Sequence, residues 1–219
     1  MQEASHRHRL GVRRYVEREH VPVAERLCAP QDAKLVLAHS DGRWLRKEVS
    51  GPAPNFTLVD QDERKVSLRD LRGKVVLIDF IFTYCPAGCL LSTGKLRHVQ
   101  HVLGGKDLHI VSVSIDPGHD TPPVLRAYGK KFTVDFGRWS FLTGTADEIE
   151  QVRTLYRIPL QRQAKRDAEG DVRAIAISDH GLKAYAVDRQ GMKRFEYWGQ
   201  DFDPKVAIQD VTTLLEEGR

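Results

Sequence analysis

The run VVLIDFIF over residues 75–82 is the feature that most limits what this chain can fold into. A nearly continuous apolar run is typical of a strand covered on both faces, so residues 74–82 predict a central strand of an α/β sheet. The run leads into the motif CPAGC at residues 85–89, and residues 90–103 behind it have helix length and spacing. Two thiols therefore stand where a helix begins, and the partial positive charge of a helix start helps a thiol there to ionise. Such a pair is either a redox couple or a soft-metal site.

The length and composition of the chain indicate one soluble domain with an N-terminal extension. At 219 residues a second full domain is not expected. Residues 51–54, GPAP, are a chain breaker, so we expect a partly ordered or arm-like extension over residues 1–50 and a compact domain over residues 51–219. The net charge of +4, without a basic stripe interleaved with aromatic residues, argues against nucleic acid as a partner.

The hydrophobic periodicity of the compact domain predicts a thioredoxin-like fold. A short N-terminal hairpin precedes a strand, helix, strand and helix, and the pattern then changes to an antiparallel hairpin and a last helix. The predicted ranges are 56–59, 65–68, 74–82, 90–103, 109–115, 120–132, 139–142, 146–156, 183–188, 193–198 and 203–216. We therefore expect a central mixed sheet flanked by helices, with the charged insertion at 161–171 forming an exposed hairpin or loop.

The sequence holds three cysteines, which are too few for a disulfide scaffold. Cys28 stands apart from the pair, and we assign it no role. No stretch reaches the apolar length of a membrane helix, and residues 1–20 are too polar for the core of a signal peptide. Either the natural protein is cytosolic, or an N-terminal signal or anchor was removed or missed when this sequence was defined.

The three-residue spacing allows Cys85 and Cys89 to work in two ways. With Cys85 as the N-cap and Pro86 in the first helical turn, the two Cα atoms fall about 6 Å apart, which is within disulfide range. In the open state, two thiolates are soft ligands that select copper(I) or zinc over hard cations. The local chemistry of the pair leaves both possibilities open.

The stretch FIFTYCPAGC at residues 80–89 resembles the SCO/SenC family of copper proteins, which have a thioredoxin-like fold. Thioredoxins place two residues between their cysteines, whereas this chain has three. The resemblance continues through VSIDP at 113–117, DTP at 120–122, FLTG at 141–144 and SDH at 178–180. Leu90 departs from the second proline of many members, which concerns the entry of the helix more than metal coordination.

The resemblance implies that copper is bound by Cys85, Cys89 and His180. Two sulfurs and one imidazole nitrogen form a plausible trigonal site for copper(I), and copper(II) would recruit a fourth donor such as water or Asp179. The other histidines show no matched spacing. His98 and His101 are expected on a solvated helix face, and His119 lies in a polar loop that should open toward the cysteines.

Asp79 lies six residues before Cys85, which is the register at which thioredoxins carry a buried acid beneath their active pair. A buried carboxyl there can pass protons during disulfide exchange. A strand-end aspartate with a local hydrogen bond is an equally good interpretation, because desolvating a carboxylate is costly. The sequence leaves these two interpretations open.

The resemblance implies a copper metallochaperone that delivers copper to, or maintains the thiols of, the copper-site subunit of a respiratory oxidase or another copper or thiol protein. It also implies a periplasmic or extracytoplasmic location, with membrane contact only through a missing N-terminal anchor. Because both thiolates are needed for the metal, closing the disulfide should exclude copper.

A thiol-disulfide oxidoreductase is the main alternative, so whether the protein is an enzyme stays open. Cys85 would then be the nucleophile and Cys89 the resolving thiol. Ordinary oxidoreductases of this fold carry a cis-proline before the hairpin, and the nearest prolines here, Pro159 and Pro204, are far away. A thioredoxin-fold interaction module without turnover would leave the cysteine pair unexplained.

Overall fold

The computed structural model describes residues 35–38, 45–85, 88–105, 107–159, 161–166, 172–179, 183–198 and 203–217. The strands in this part of the chain are β1 Leu35–Ala38, β2 Leu45–Glu48, β3 Thr57–Asp60, β4 Lys65–Ser67, β5 Val75–Ile81, β6 Leu108–Ser114, β7 Trp139–Thr143, β8 Gln161–Arg166, β9 Val172–Asp179, β10 Lys183–Val187 and β11 Lys193–Trp198. The helices are α1 Gly88–Val102, α2 Pro122–Lys131, α3 Ala146–Leu155 and α4 Pro204–Glu216, with a short 3-10 helix over Leu68–Leu71.

Nine of the described strands form one mixed sheet in the order β1-β2-β11-β10-β5-β6-β7-β3-β4. The three central strands β5, β6 and β7 are parallel, and the strands on either side of them pair antiparallel. Strands β8 and β9 form a separate two-stranded antiparallel sheet. Of the insertion predicted at 161–171, residues 161–166 form β8, which pairs with β9; residues 167–171 lie outside the described residues.

The apolar run forms the middle of the molecule, as the sequence predicts. All seven residues of β5 are buried, and so are all seven residues of its parallel neighbour β6. Strands buried on both faces need helices to cover them. Helix α4 packs on β5, α1 packs on β6 and on α4, and α2 packs on β7. The predicted thioredoxin-like arrangement of a central mixed sheet flanked by helices is therefore confirmed.

Helix starts follow from local sequence. Thr145 caps α3 and forms a capping box with Glu148, and the Asp203 side chain accepts a hydrogen bond from the Lys205 N–H at the start of α4. Helices α2 and α4 both carry proline in the first turn, where its missing N–H costs nothing. Within the described residues, no helix is long and apolar enough to cross a bilayer.

Strands β1 and β2 lie in the stretch that the sequence assigned to the N-terminal extension, and their pattern did not predict them. β2 pairs with β11, so these residues continue the main sheet beyond the C-terminal hairpin. The division of the chain into domains at Gly51 stays a prediction. Cys28 lies outside the described residues.

Candidate functional site

The cysteine pair follows the carboxyl end of the central strand. Because β5 and β6 are parallel, the segments that leave their carboxyl ends meet at one edge of the sheet. The chain turns directly after β5, since the Cys85 N–H donates to the Phe82 carbonyl at 3.2 Å. Helix α1 is described from Gly88, so Cys89 lies in its first turn.

The two cysteines differ sharply in exposure. Both are present as thiols; Cys85 is half-buried, whereas Cys89 is completely buried. The Cys89 backbone N–H donates to the Cys85 Sγ at 3.2 Å, so the first thiol caps an N–H at the start of α1. The pair is therefore joined by a direct contact, with Cys85 on the solvent side.

The pKa of the Cys89 thiol is raised well above its usual value. The side-chain hydrogen bond with Cys85 is the largest cause of this shift, and burial of the thiol is the next. The charge of Asp79 adds a smaller contribution in the same direction. A hydrogen bond from the Tyr128 hydroxyl to the Cys89 carbonyl, at 3.4 Å, ties this residue to α2. Cys89 is thus the fixed member of the pair, and its surroundings disfavour its thiolate form.

A buried carboxylate, Asp120, holds the turn that precedes the cysteines. Its Oδ1 accepts from the Thr83 hydroxyl at 2.6 Å, and its Oδ2 accepts from the Thr83 backbone N–H at 3.1 Å. The Ser114 hydroxyl also donates to Oδ2, at 2.7 Å. Asp120 follows β6, so its side chain joins the loop after β6 to the loop after β5.

A second contact between the same two loops lies at the surface. The Tyr84 hydroxyl donates to Asp116 Oδ2 at 2.6 Å. The exposed His119 ring meets the Tyr84 ring edge-on, with centroids 4.7 Å apart. His119 therefore lies beside the residue that precedes Cys85, in the loop where the sequence placed it.

Asp79 is buried in the interior of β5 and not at the end of the strand. The Ser112 hydroxyl donates to its Oδ1 at 2.5 Å, and the indole N–H of Trp139 donates to the Ser112 oxygen at 2.9 Å. Its second oxygen, Oδ2, is buried without a hydrogen-bond partner in the described structure. Burial raises the pKa of Asp79 to about 7, although the Ser112 hydrogen bond opposes the shift.

The third ligand implied by the resemblance, His180, lies outside the described residues, as do Pro86 and Ala87. Asp179 ends β9, and nothing further is described of its side chain. In the part of the chain that the structure does describe, no group of three or more His, Cys, Asp or Glu side chains could hold a metal ion. His98 and His101 are exposed on α1, as predicted.

Sequence reasoning did not identify the roles of Asp120, Thr83 and Ser112. The stretches 113–117 and 120–122, which resemble the family, contain the two acids that hold the loop, Asp116 and Asp120. Their partners could not be read from the sequence, because the contacts depend on β5, β6 and β7 lying side by side.

Comparison with known proteins gives one consistent family. The family model described as SCO1/SenC matches residues 47–216. The SCO1 protein homolog of Bacillus subtilis is 30% identical over 173 residues, which cover 78% of this chain and 86% of that protein.

Solved structures of related proteins share the fold. The structure of Bradyrhizobium japonicum ScoI with copper bound has a TM-score of 0.61 and 27% identity, over 75% of this chain and 100% of that one. BsSco, described as a member of the Sco family of cytochrome c oxidase assembly proteins with a disulfide switch, has a TM-score of 0.61 and 29% identity, over 76% of this chain and 95% of that one.

Proposed function

This chain belongs to the SCO1/SenC family, and from that membership and the pair of thiols at the start of α1 we propose that it is a copper metallochaperone for the assembly of a respiratory oxidase. The observation that carries the proposal is the contact between Cys85 and Cys89 at the start of α1. Copper is the cargo of this site.

The donor set fits copper(I). Thiolates are soft ligands that favour copper(I), and the two sulfurs lie at one helix start, so a single ion can reach both of them. Complete burial of Cys89 keeps water away from that sulfur. The ScoI relative from B. japonicum, whose structure contains copper, supports the same assignment here.

His180 is proposed as the third ligand. Lys183, three residues later, begins β10, and β10 runs antiparallel to β5 with Ala184 opposite Asp79. The start of β10 therefore lies beside the carboxyl end of β5, which is the end that leads to Cys85. Three residues of chain reach roughly 10 Å, so a histidine at this position can approach the thiols.

The proposed recipient is the copper-site subunit of a respiratory oxidase, reached on the extracytoplasmic side of the membrane. BsSco, which belongs to a family of cytochrome c oxidase assembly proteins, supports this assignment. Three large apolar side chains next to the thiols in sequence are open to a partner: Tyr84 is 40% exposed, Leu90 42% and Leu91 51%. Copper transfer to a protein recipient needs such an accessible surface around the donor thiols.

Anaerobic titration of the fully reduced protein with copper(I), against a chromophoric chelator, tests the proposal. We expect one tight equivalent in the parent, loss of tight binding in Cys85→Ser and Cys89→Ser, and weaker binding in His180→Ala. His101→Ala is the matched control, since His101 is an exposed histidine on α1, and it should bind like the parent. Equal affinity in His180→Ala and His101→Ala would exclude His180 as a ligand.

A thiol-disulfide oxidoreductase is the second candidate, and the buried Asp79 favours it. The charge of Asp79 contributes to the raised pKa of the Cys89 thiol, so the two groups interact. A pKa of about 7 suits a group that takes and returns protons at neutral pH. If so, the parent should reduce a test disulfide at thioredoxin-like rates, and Asp79→Asn should slow that reaction severalfold. A parent that binds copper but turns over no disulfide would remove this candidate.

A further inference from the structure

We propose that Asp120 is a positioning residue for the thiol pair: its buried carboxylate holds the turn before Cys85 in the open dithiol arrangement and so opposes closure of the Cys85–Cys89 disulfide. The inference deepens the proposed function and rests on it, because the dithiol is the form that would bind copper. Asp120 itself touches neither thiol in the described contacts; it acts through Thr83.

The hydrogen bonds of Asp120 converge on one residue of the turn. Thr83 gives the carboxylate both its backbone N–H and its hydroxyl, and Ser114 gives a third hydrogen at the end of β6. Asp120 is 0% exposed, so each of these bonds is made in a region from which water is excluded. A bond lost there leaves a buried donor or acceptor unsatisfied, which costs more than the loss of an exposed bond.

The described contacts of Asp120 include hydrogen-bond donors but no ion pair. Burial raises the pKa of its carboxyl group, while the bonds from Thr83 and Ser114 act in the opposite direction. The hydrogen bonds from Thr83 and Ser114 therefore offset part of the cost of burying this carboxyl group, and they fix the loop to it. Holding Thr83 at two points also fixes the backbone two residues before Cys85.

Closure of the pair depends on movement of Cys85. Cys89 is completely buried in the first turn of α1, whereas Cys85 is half-buried in the turn after β5. Closure removes two protons and two electrons from the thiols and forms one S–S bond, with glutathione disulfide as the oxidant that becomes two glutathione thiols. In the dithiol structure the Cys85 sulfur accepts the Cys89 N–H and is not bonded to the Cys89 sulfur. A turn fixed by Asp120 therefore favours the dithiol.

The test is the reduction potential of the pair, measured without copper in glutathione buffers for the full chain. Asp120→Ala should favour the disulfide about tenfold, which is a potential about 30 mV more negative. Asp120→Asn keeps an acceptor oxygen and should shift the potential less. The matched control is Asp60→Ala: Asp60 is also a buried carboxylate that accepts backbone N–H groups in a turn, but it lies at the end of β3, opposite Leu142 of β7, and its hydrogen bonds hold the turn after β3.

Unfolding measurements separate positioning from simple support of the fold. A merely structural role would lower the stability of the reduced and oxidised proteins equally, and the potential would not move. An unchanged potential in Asp120→Ala, or an equal shift in Asp60→Ala, would overturn the proposal. If Asp120→Ala does not fold, Thr83→Val, which loses only the hydroxyl donor, should shift the potential in the same direction, and Thr83→Ser should restore it.

A separate copper(I) titration distinguishes failure of this inference from failure of the proposed function. Reduced Asp120→Ala should bind copper(I) about tenfold more weakly than the parent, because the thiols are no longer held open. If the parent binds no copper, the proposed function fails, while the shift in potential still decides the role of Asp120. If the parent binds copper and the potential of Asp120→Ala is unchanged, only the present inference fails.

Discussion

Asp79 shows how a single buried carboxyl group makes the stability of this protein depend on pH. Its folded pKa of about 7 lies above the ordinary value of 3.8, because burial disfavours the charged form. Folding therefore keeps a proton that the unfolded chain releases. The favourable contribution of Asp79 to the free energy of unfolding is complete below about pH 4. It is lost as the pH rises through 7, and the loss is about 4 kcal/mol at most.

We expect Asp79→Asn to become more stable relative to the parent as the pH rises, because asparagine has no charge to bury. The measurement is denaturant unfolding of the reduced proteins at pH 5 and pH 8. His109, whose pKa burial lowers to about 4, changes stability in the opposite direction, losing its contribution as the pH falls through 6.5 toward 4. It is present in both proteins, so its effect cancels in their difference, and a difference that does not change with pH would contradict the prediction.

At the scale of elements, β2 is joined to α4 by a buried ion pair. Arg46 donates to both oxygens of Asp210, at 2.7 and 2.6 Å, and the Tyr197 hydroxyl donates to the same carboxylate at 2.8 Å. Lys47 lies over the Trp198 ring, 4.0 Å from its centroid. These contacts explain why LRKE is a strand that the sequence did not predict: Arg46 and Lys47 are buried only because partners from distant elements accept them.

We expect Asp210→Ala to lower the free energy of unfolding by about 3–5 kcal/mol, because it leaves the Arg46 guanidinium buried without its partner. Urea unfolding followed by circular dichroism measures the change. Glu48→Gln is the control: Glu48 contacts the same arginine at 3.5 Å, but its side chain is 54% exposed, so we expect less than about 1 kcal/mol. Equal losses in the two variants would show that burial of the pair does not matter.

Across the whole molecule, the sequence predicts the helices and strands that depend on a local pattern of residues. The buried run of β5, the helices predicted over 120–132, 146–156 and 203–216, and the last hairpin are confirmed. The order of strands in the sheet and the hydrogen bonds of Asp79 and Asp120 were not predictable, because they join residues that are distant in sequence. Of the three proposed copper ligands, Cys85 and Cys89 lie together in the structure. Their role as ligands and that of His180 stay predictions.

The reduced whole protein should be stabilised by copper(I) and the oxidised protein should not. A ligand at 100 times its dissociation constant adds about 2.7 kcal/mol to the free energy of unfolding, and for a domain of this size we expect a melting temperature higher by about 5–10 °C. Anaerobic thermal unfolding of both forms, without copper(I) and with copper(I) buffered at a free concentration 100 times the dissociation constant, measures the shift. An equal shift in the oxidised form would mean that copper binds away from Cys85 and Cys89.

The contact between Trp139 and Ser112 has an optical consequence. Trp139 is 0% exposed, and its indole N–H donates to the Ser112 hydroxyl, which in turn donates to Asp79. A proton gained or lost by that carboxyl group changes the electric field at the indole through one intervening oxygen. The emission of this tryptophan therefore reports the charge of Asp79 from inside the sheet, without any attached dye.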